Sequence, residues 1–186
     1  MSDRGLAYKS IDQITTTTAT AVSGDYQVFF DSSADKWVKQ DSALYAPQAL
    51  DATDTITAAE HANRILYCTT AATLTWTLPT PSGTGNWYLF LQGILATGDK
   101  VIKCASTTAT ALIGSVTFSD GDAAQGTGEG FKPAATSDVI TMNATTTGGI
   151  LGDWIKVTDV ATEVWFVEGQ LSTAAGSNPA TPFSST

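Results

Sequence analysis

Apolar and polar residues alternate along much of this chain with a period of two. The segment 72–78, ATLTWTL, sets Ala72, Leu74, Trp76 and Leu78 on one side and threonines on the other, which predicts a half-buried strand. Pro79 ends it, because proline cannot donate to a ladder, and PSGTG at 81–85 turns the chain. The run WYLFL at 87–91 has no polar position and predicts a strand buried on both faces. Further strands are predicted at 65–69, 100–104, 112–118, 138–142, 153–158 and 164–167. Short strands at intervals of roughly ten to fifteen residues, separated by Gly-rich turns, indicate an all-β chain, an antiparallel β-sandwich of jelly-roll type.

Upstream, YQVFF at 26–30 and KWVK at 36–39 flank turn formers at 31–35 and predict a β-hairpin, with Trp37 facing an aromatic such as Phe29. Residues 1–24 are polar and Thr-rich and read as an extended arm or loosely paired strand, and 41–54, with Pro47, as a linker or crossover to the main body. Thr57-Ala58-Ala59-Glu60 fits a capping box, in which the Thr hydroxyl and the Glu carboxylate satisfy each other's backbone donors, with a turn or two of helix ending near Asn63. Residues 119–130 form a long small-residue loop. The end of the chain, with Pro179 and Pro182 among Ser, Thr, Ala and Gly, cannot bury enough surface to fold alone. The expected organisation is an N-terminal arm and hairpin over 1–54, a β-sandwich over 55–172 and an extended C-terminal tail over 173–186.

Charged residues make up 15% of the chain, against about 25% in a typical soluble domain. Its polar surface must therefore come from Thr, Ser, Asn and Gln, which cost less to desolvate than charges when they find partners. That favours an exterior that meets other protein. The net charge of -9, with no run of Lys or Arg, argues against nucleic acid and against an anionic membrane surface. No stretch approaches the ~18 apolar residues of a membrane span, and MSDRGLAYKS lacks the apolar core of a secretory signal, so the chain is expected to be made and kept soluble in a cytoplasm.

Candidate chemistry is sparse. His61 is the sole histidine, no GxSxG elbow accompanies it, and it reads as structural or solvent-exposed. Cys68 and Cys104 are too far apart for a CxxC motif and read as buried thiols on strands, a mutual disulfide being the alternative; with one histidine they cannot close a zinc site. Asp120, Asp122 and Glu129 share a Gly-rich loop that could bend around calcium, but the spacing is not that of an EF-hand and the loop reads as a solvated turn. Asp153, Asp159, Glu163 and Glu168 lie beside the last two strands with nothing to select an acid and base pair. GTGEG at 126–130 lacks the setting of a phosphate loop and reads as a turn. The expectation is no catalytic residue, no metal, no cofactor and no enzymatic activity. Trp37, Trp76, Trp87, Trp154 and Trp165 all fall in strand patterns, as core or subunit interface, with an exposed glycan platform as the alternative.

The string ATLTWTLP at 72–79, then Gly83-Thr84-Gly85, then Trp87-Tyr88-Leu89-Phe90, resembles a unit common in structural proteins of tailed bacteriophages. Thr147-Gly148-Gly149, Gly152-Asp153-Trp154, the run 165–169 and Thr181-Pro182-Phe183-Ser184 do the same. The segment 24–39 is similar to hairpins near the start of phage fibre and head-decoration proteins. The resemblance implies a capsid decoration (cement) protein: a β-sandwich, homotrimeric, on the outer capsid surface of the virion and made in the host bacterial cytoplasm. There it would clamp neighbouring copies of the major capsid protein. Its interface residues would include Trp37, Trp154, Trp165, Pro182 and Phe183, with Phe183 anchoring the tail in a neighbouring subunit. The alternative is a head-fibre or receptor-binding module that recognises host surface glycans.

Overall fold

The structure, a computed structural model, describes residues 26–31, 36–41, 46–105, 111–119 and 128–186. The chain divides into two compact units between Ala46 and Pro47. In the first, β1 (Tyr26–Asp31) and β2 (Lys36–Asp41) pair antiparallel, and the register sets Trp37 opposite Phe30 rather than Phe29. The arm expected over 1–24 and the residues 32–35 of the expected turn lie outside the described residues.

The second unit is built from strands, with one helical turn. The strands β3 (Gln48–Ala49), β4 (Asp54–Thr55), β5 (Arg64–Cys68), β6 (Leu74–Thr77), β7 (Trp87–Gln92) and β8 (Lys100–Lys103) come first, with α1 (Ala58–His61) between β4 and β5. The remainder are β9 (Ala111–Ser119), β10 (Gly128–Phe131), β11 (Val139–Met142), β12 (Trp154–Ala161), β13 (Val164–Ser172) and β14 (Phe183–Ser184). Seven form one sheet in the order β10-β9-β13-β12-β7-β5-β3, and five form another in the order β14-β11-β8-β6-β4. Among the described residues no helix is long and apolar enough to cross a membrane.

From β3 to β8 the chain changes sheet at every step. Each strand therefore lies beside the one two places before it, and each such pair is parallel. This corrects the expectation of antiparallel sheets. Antiparallel neighbours need a short return loop, whereas a chain that coils from sheet to sheet always enters a given sheet in the same direction. Regular spacing predicts where the longer strands lie, not which sheet each one joins. The pair β9 and β13 is also parallel, and Gly114 makes it possible: a Cβ there would lie 2.0 Å from the Val167 carbonyl oxygen. Antiparallel pairing holds for β7 with β12, β12 with β13, β9 with β10, β8 with β11, and β11 with β14.

The inward side chains of both sheets belong to one core. Leu74 and Trp76 of β6 point inward while Thr75 and Thr77 do not, and Leu78 is buried just beyond, as the alternation predicts; Ala72, before the strand, is exposed. Trp76 stacks on Phe90 of the larger sheet at 5.4 Å between centroids. Lys100 is fully buried at the margin of this core, where its Nζ donates to the carbonyl oxygens of Ala71, at 3.0 Å, and Ala72. Desolvation lowers its pKa, against the opposing pull of Cys68 and Asp99.

Four strands fall outside the predicted set. β3 and β4 occupy the expected linker, β10 lies in the expected 119–130 loop, and β14 lies in the expected tail. That tail returns to its own chain. Phe183 pairs with Ile140 and sits 7% exposed in the core, and Pro182 is buried beside it. The last residue, Thr186, donates its N–H and its hydroxyl to the Asp138 carboxylate at 2.8 and 2.6 Å. A short segment of poor composition needs only one aromatic in the core and a few backbone bonds once the rest of the body is folded. Phe183→Ala is therefore expected to cost about 3 kcal/mol, as buried aromatic truncations do. Urea unfolding followed by Trp fluorescence reads this directly, and an unchanged midpoint would mean the tail is not docked.

Candidate interaction face

The larger sheet has an inner face in the core and an outer face with an unusual composition. On β7 the inward residues Tyr88, Phe90 and Gln92 are buried, while Trp87, Leu89 and Leu91 point outward and are half-buried. Among the described residues of this unit, WYLFL is therefore covered fully on one side only, where full burial on both was expected. Register carries the outer face across neighbouring strands. Trp87 aligns with Thr158 of β12, Thr158 with Phe166 of β13, and Phe166 with Ile113 of β9. The next row runs Leu89, Lys156, Glu168 and Ser115, and the third Leu91, Trp154, Gln170 and Thr117. Ile65 and Tyr67 of β5 flank Leu89 and Leu91.

Among the described residues, the large hydrophobic side chains left exposed are Tyr67, Ile94, Leu95, Ile113, Leu151, Val160 and Phe166. All lie on this sheet or in the two loops that continue its strands β7 and β12. Leu151 is 64% exposed and Leu95 53%. The two loops are tied together, since Gly152 N–H donates to the Gln92 carbonyl at 2.9 Å and Ala96 N–H to that of Gly149 at 3.0 Å. The ring of Tyr67 lies against Gly93, where a Cβ would clash with it. On the smaller sheet the outward positions are mostly polar, Thr55, Thr75, Thr77, Lys103, Thr141 and Ser184, with Val101 and Val139 the apolar ones.

One ion pair sits in the middle of the apolar face. Lys156 Nζ donates to Glu168 Oε1 at 2.9 Å, and the same ammonium lies 5.8 Å from the Trp87 ring centroid.

Turns at both ends of the sheet are held by carboxylates. Asp159, buried on β12, accepts from the N–H groups of Ser82, Gly83 and Thr84 at 2.9, 2.6 and 3.1 Å and from the Thr84 hydroxyl at 2.6 Å. Burial would raise its pKa, but these bonds, Thr84 foremost, outweigh burial and hold it below the ordinary value. Asp153 accepts from Gly149 and Ile150 N–H at 2.9 and 3.0 Å, yet is buried deeply enough that desolvation prevails and raises its pKa. Glu163 sits in the β12–β13 turn at a φ of 62°. The four carboxylates beside the last two strands thus serve turns and one ion pair.

His61 is buried and completes the helix cap. The Thr57 hydroxyl accepts from Glu60 N–H at 3.3 Å as a capping box requires, but Thr57 N–H donates to His61 Nδ1 at 3.1 Å rather than to Glu60. That bond makes Nδ1 the acceptor and leaves the proton on Nε2, 3.7 Å from Asp54 Oδ2. The helix ends at His61, short of Asn63. Both thiols are buried and unbridged. Among the described residues no cluster of His, Cys, Asp and Glu could hold a metal ion. Asp120 and Asp122 lie outside the described residues, whereas Glu129 is exposed on β10. Gly128 to Gly130, expected as a turn, are part of that strand.

Of the five expected interface residues, the four in the second unit, Trp154, Trp165, Pro182 and Phe183, are not brought together. Trp154 lies on the outer face. Trp165 lies on the opposite side of the same sheet, fully buried, edge-on to Tyr88 at 5.8 Å, and among the described residues its indole N–H finds no partner. Pro182 and Phe183 are buried with the smaller sheet. The side chain of Trp37 lies outside what is described. Strand alternation assigns Trp165 and Phe166 to opposite faces but cannot say which face is covered. Sequence reasoning did not single out Trp87, Leu89, Leu91 and Phe166 as an interface, although the unbroken WYLFL run was its signal. No protein-family model, curated protein or solved structure matches the chain.

Two outcomes follow from these groups. Asp159→Asn is expected to lose about 1–2 kcal/mol at neutral pH. The folded pKa lies below the unfolded value of about 3.9, so this stabilisation is present above that pH and lost as pH falls through the folded pKa. The gap between wild type and variant should narrow below about pH 4; urea curves in which it widens on acidification would contradict the clamp. Burial pushes the Cys104 thiol up to about 12, with Asp138 adding to it, and raises Cys68 as well. Neither should react with an aromatic disulfide reagent in native protein at pH 8, and both should after denaturation; rapid native reaction would mean that the core opens.

Proposed function

We propose that the protein is a virion structural component, a decoration (cement) protein on the outside of a phage capsid that stabilises the head by bridging copies of the major capsid protein. The virion assignment draws on the resemblance of the Trp- and Gly-bearing segments to phage structural proteins. The architecture proposed with it is a two-layer β-sandwich whose first half is a parallel coil. The observation that carries a binding role is the gathering of exposed large hydrophobic side chains on one sheet and its loops. Each such side chain gains about 1.5–3 kcal/mol when fully covered, so this surface favours a protein partner.

Glycan recognition is the competing reading, because Trp87 and Trp154 both point outward, roughly 14 Å apart by strand geometry. The Lys156 ammonium over the Trp87 ring disfavours it, since it lies where a sugar would stack. A protein interface can bury the Lys156–Glu168 pair already made; a sugar would have to displace it.

Cosedimentation with heads of the parent phage lacking this protein tests the proposal. Binding at a saturating ratio to capsid protein, with a higher temperature of head disruption, is the expected result. Failure to bind, or a fluorescence change with host polysaccharide instead, would contradict it.

A further inference from the structure

We propose that the outer face of the seven-stranded sheet pairs with the same face of a second copy across a twofold axis, with Lys156 of each copy opposed to Glu168 of the other. This rests on the protein-binding reading above and names the partner of that face.

Charge selects the partner. The chain carries a net charge of -9, so two copies repel unless they meet through a surface with no net charge. The outward positions of β5, β7, β9, β12 and β13 provide one, because their charged residues are Lys156 and Glu168, one of each sign and bonded to each other at 2.9 Å. A plus and a minus side by side near the middle of a flat face are self-complementary under a twofold rotation, which brings each over its opposite. The resulting four-charge cluster alternates in sign, whereas a one-way contact would use only half of each pair.

Shape agrees. A sheet is normally covered by another sheet about 10 Å away, and a second copy supplies a sheet of matching twist. Trp87, Trp154 and Phe166 flank the ion pair as the aromatic anchors that such contacts favour. Five strands give a footprint of roughly 20 by 17 Å, extended by the apolar loops at Leu95 and Leu151. That is under half of the ~800 Å² per partner of a standard interface, so the pair should be weak and form at high protein concentration. The twofold pair also differs from the threefold assembly implied by the phage resemblance, and mass distinguishes the two.

Sedimentation equilibrium on the full chain is the test. Wild type should reach twice the chain mass of 19.4 kDa at about 100 µM. Lys156→Glu makes the face wholly acidic and Glu168→Lys wholly basic, so each variant alone should self-associate at least about tenfold more weakly. An equimolar mixture of the two should recover two-chain species, which an unfolded variant could not do. A wild-type mass of one or three chains, or single variants that pair as well as wild type, would overturn the inference. A one-chain mass with capsid binding intact would overturn the pair and leave the decoration role standing. Pairing without capsid binding would do the reverse.

Discussion

A β-sheet has two faces, and among the described residues of the second unit only one face of the larger sheet is covered. The inner face, with Tyr88, Phe90, Ile155, Val157, Trp165 and Val167, meets Leu74, Trp76, Ile102 and Ile140 of the smaller sheet in a single core. The outer face also carries aromatic and aliphatic side chains at Trp87, Leu89, Leu91, Trp154 and Phe166, yet no other described strand of the second unit lies over it. Everything functional in this account follows from that imbalance. A strand that needed only one covered face would alternate cleanly, as β6 does with Leu74-Thr75-Trp76-Thr77, and β7 does not.

The rest of the unit keeps this sheet in shape. The coil from β3 to β8 sets β5 and β7 in parallel register, and Gly114 lets β9 close against β13. Asp159 fixes the turn that leads into β7, and Asp153 fixes the turn that leads into β12. Their environments push their proton affinities in opposite directions, because Asp159 is held by four bonds whereas Asp153 is dominated by desolvation. Phe183 and the Asp138–Thr186 clasp close the opposite sheet with the last residues of the chain.

The positions of the strands were legible because local pattern determines them. The ATLTWTL alternation, the proline after it and the Gly-rich turns all mark boundaries that the structure keeps within a residue or two. Sheet membership and direction were not legible, since they depend on which connector crosses the core, and β3, β4, β10 and β14 are too short or too poor in β-formers to stand out. The interface was half legible. Trp154 was recognised, but Trp165 was assigned to it alongside a core role because tryptophan serves either purpose equally well on a strand. The clearest signal, five consecutive apolar residues in WYLFL, was read as burial within the fold. It also fits an outer face that the other described residues of the second unit leave uncovered.

Hydroxyl-radical footprinting with mass spectrometry tests that claim most directly, by comparing side-chain oxidation in dilute isolated protein and in the assembled state. Leu151, Phe166 and Trp154 should label strongly in the isolated chain and be markedly protected on assembly, while Val101 on the smaller sheet changes little. Equal labelling of the outer face in both states, or protection confined to the smaller sheet, would contradict it.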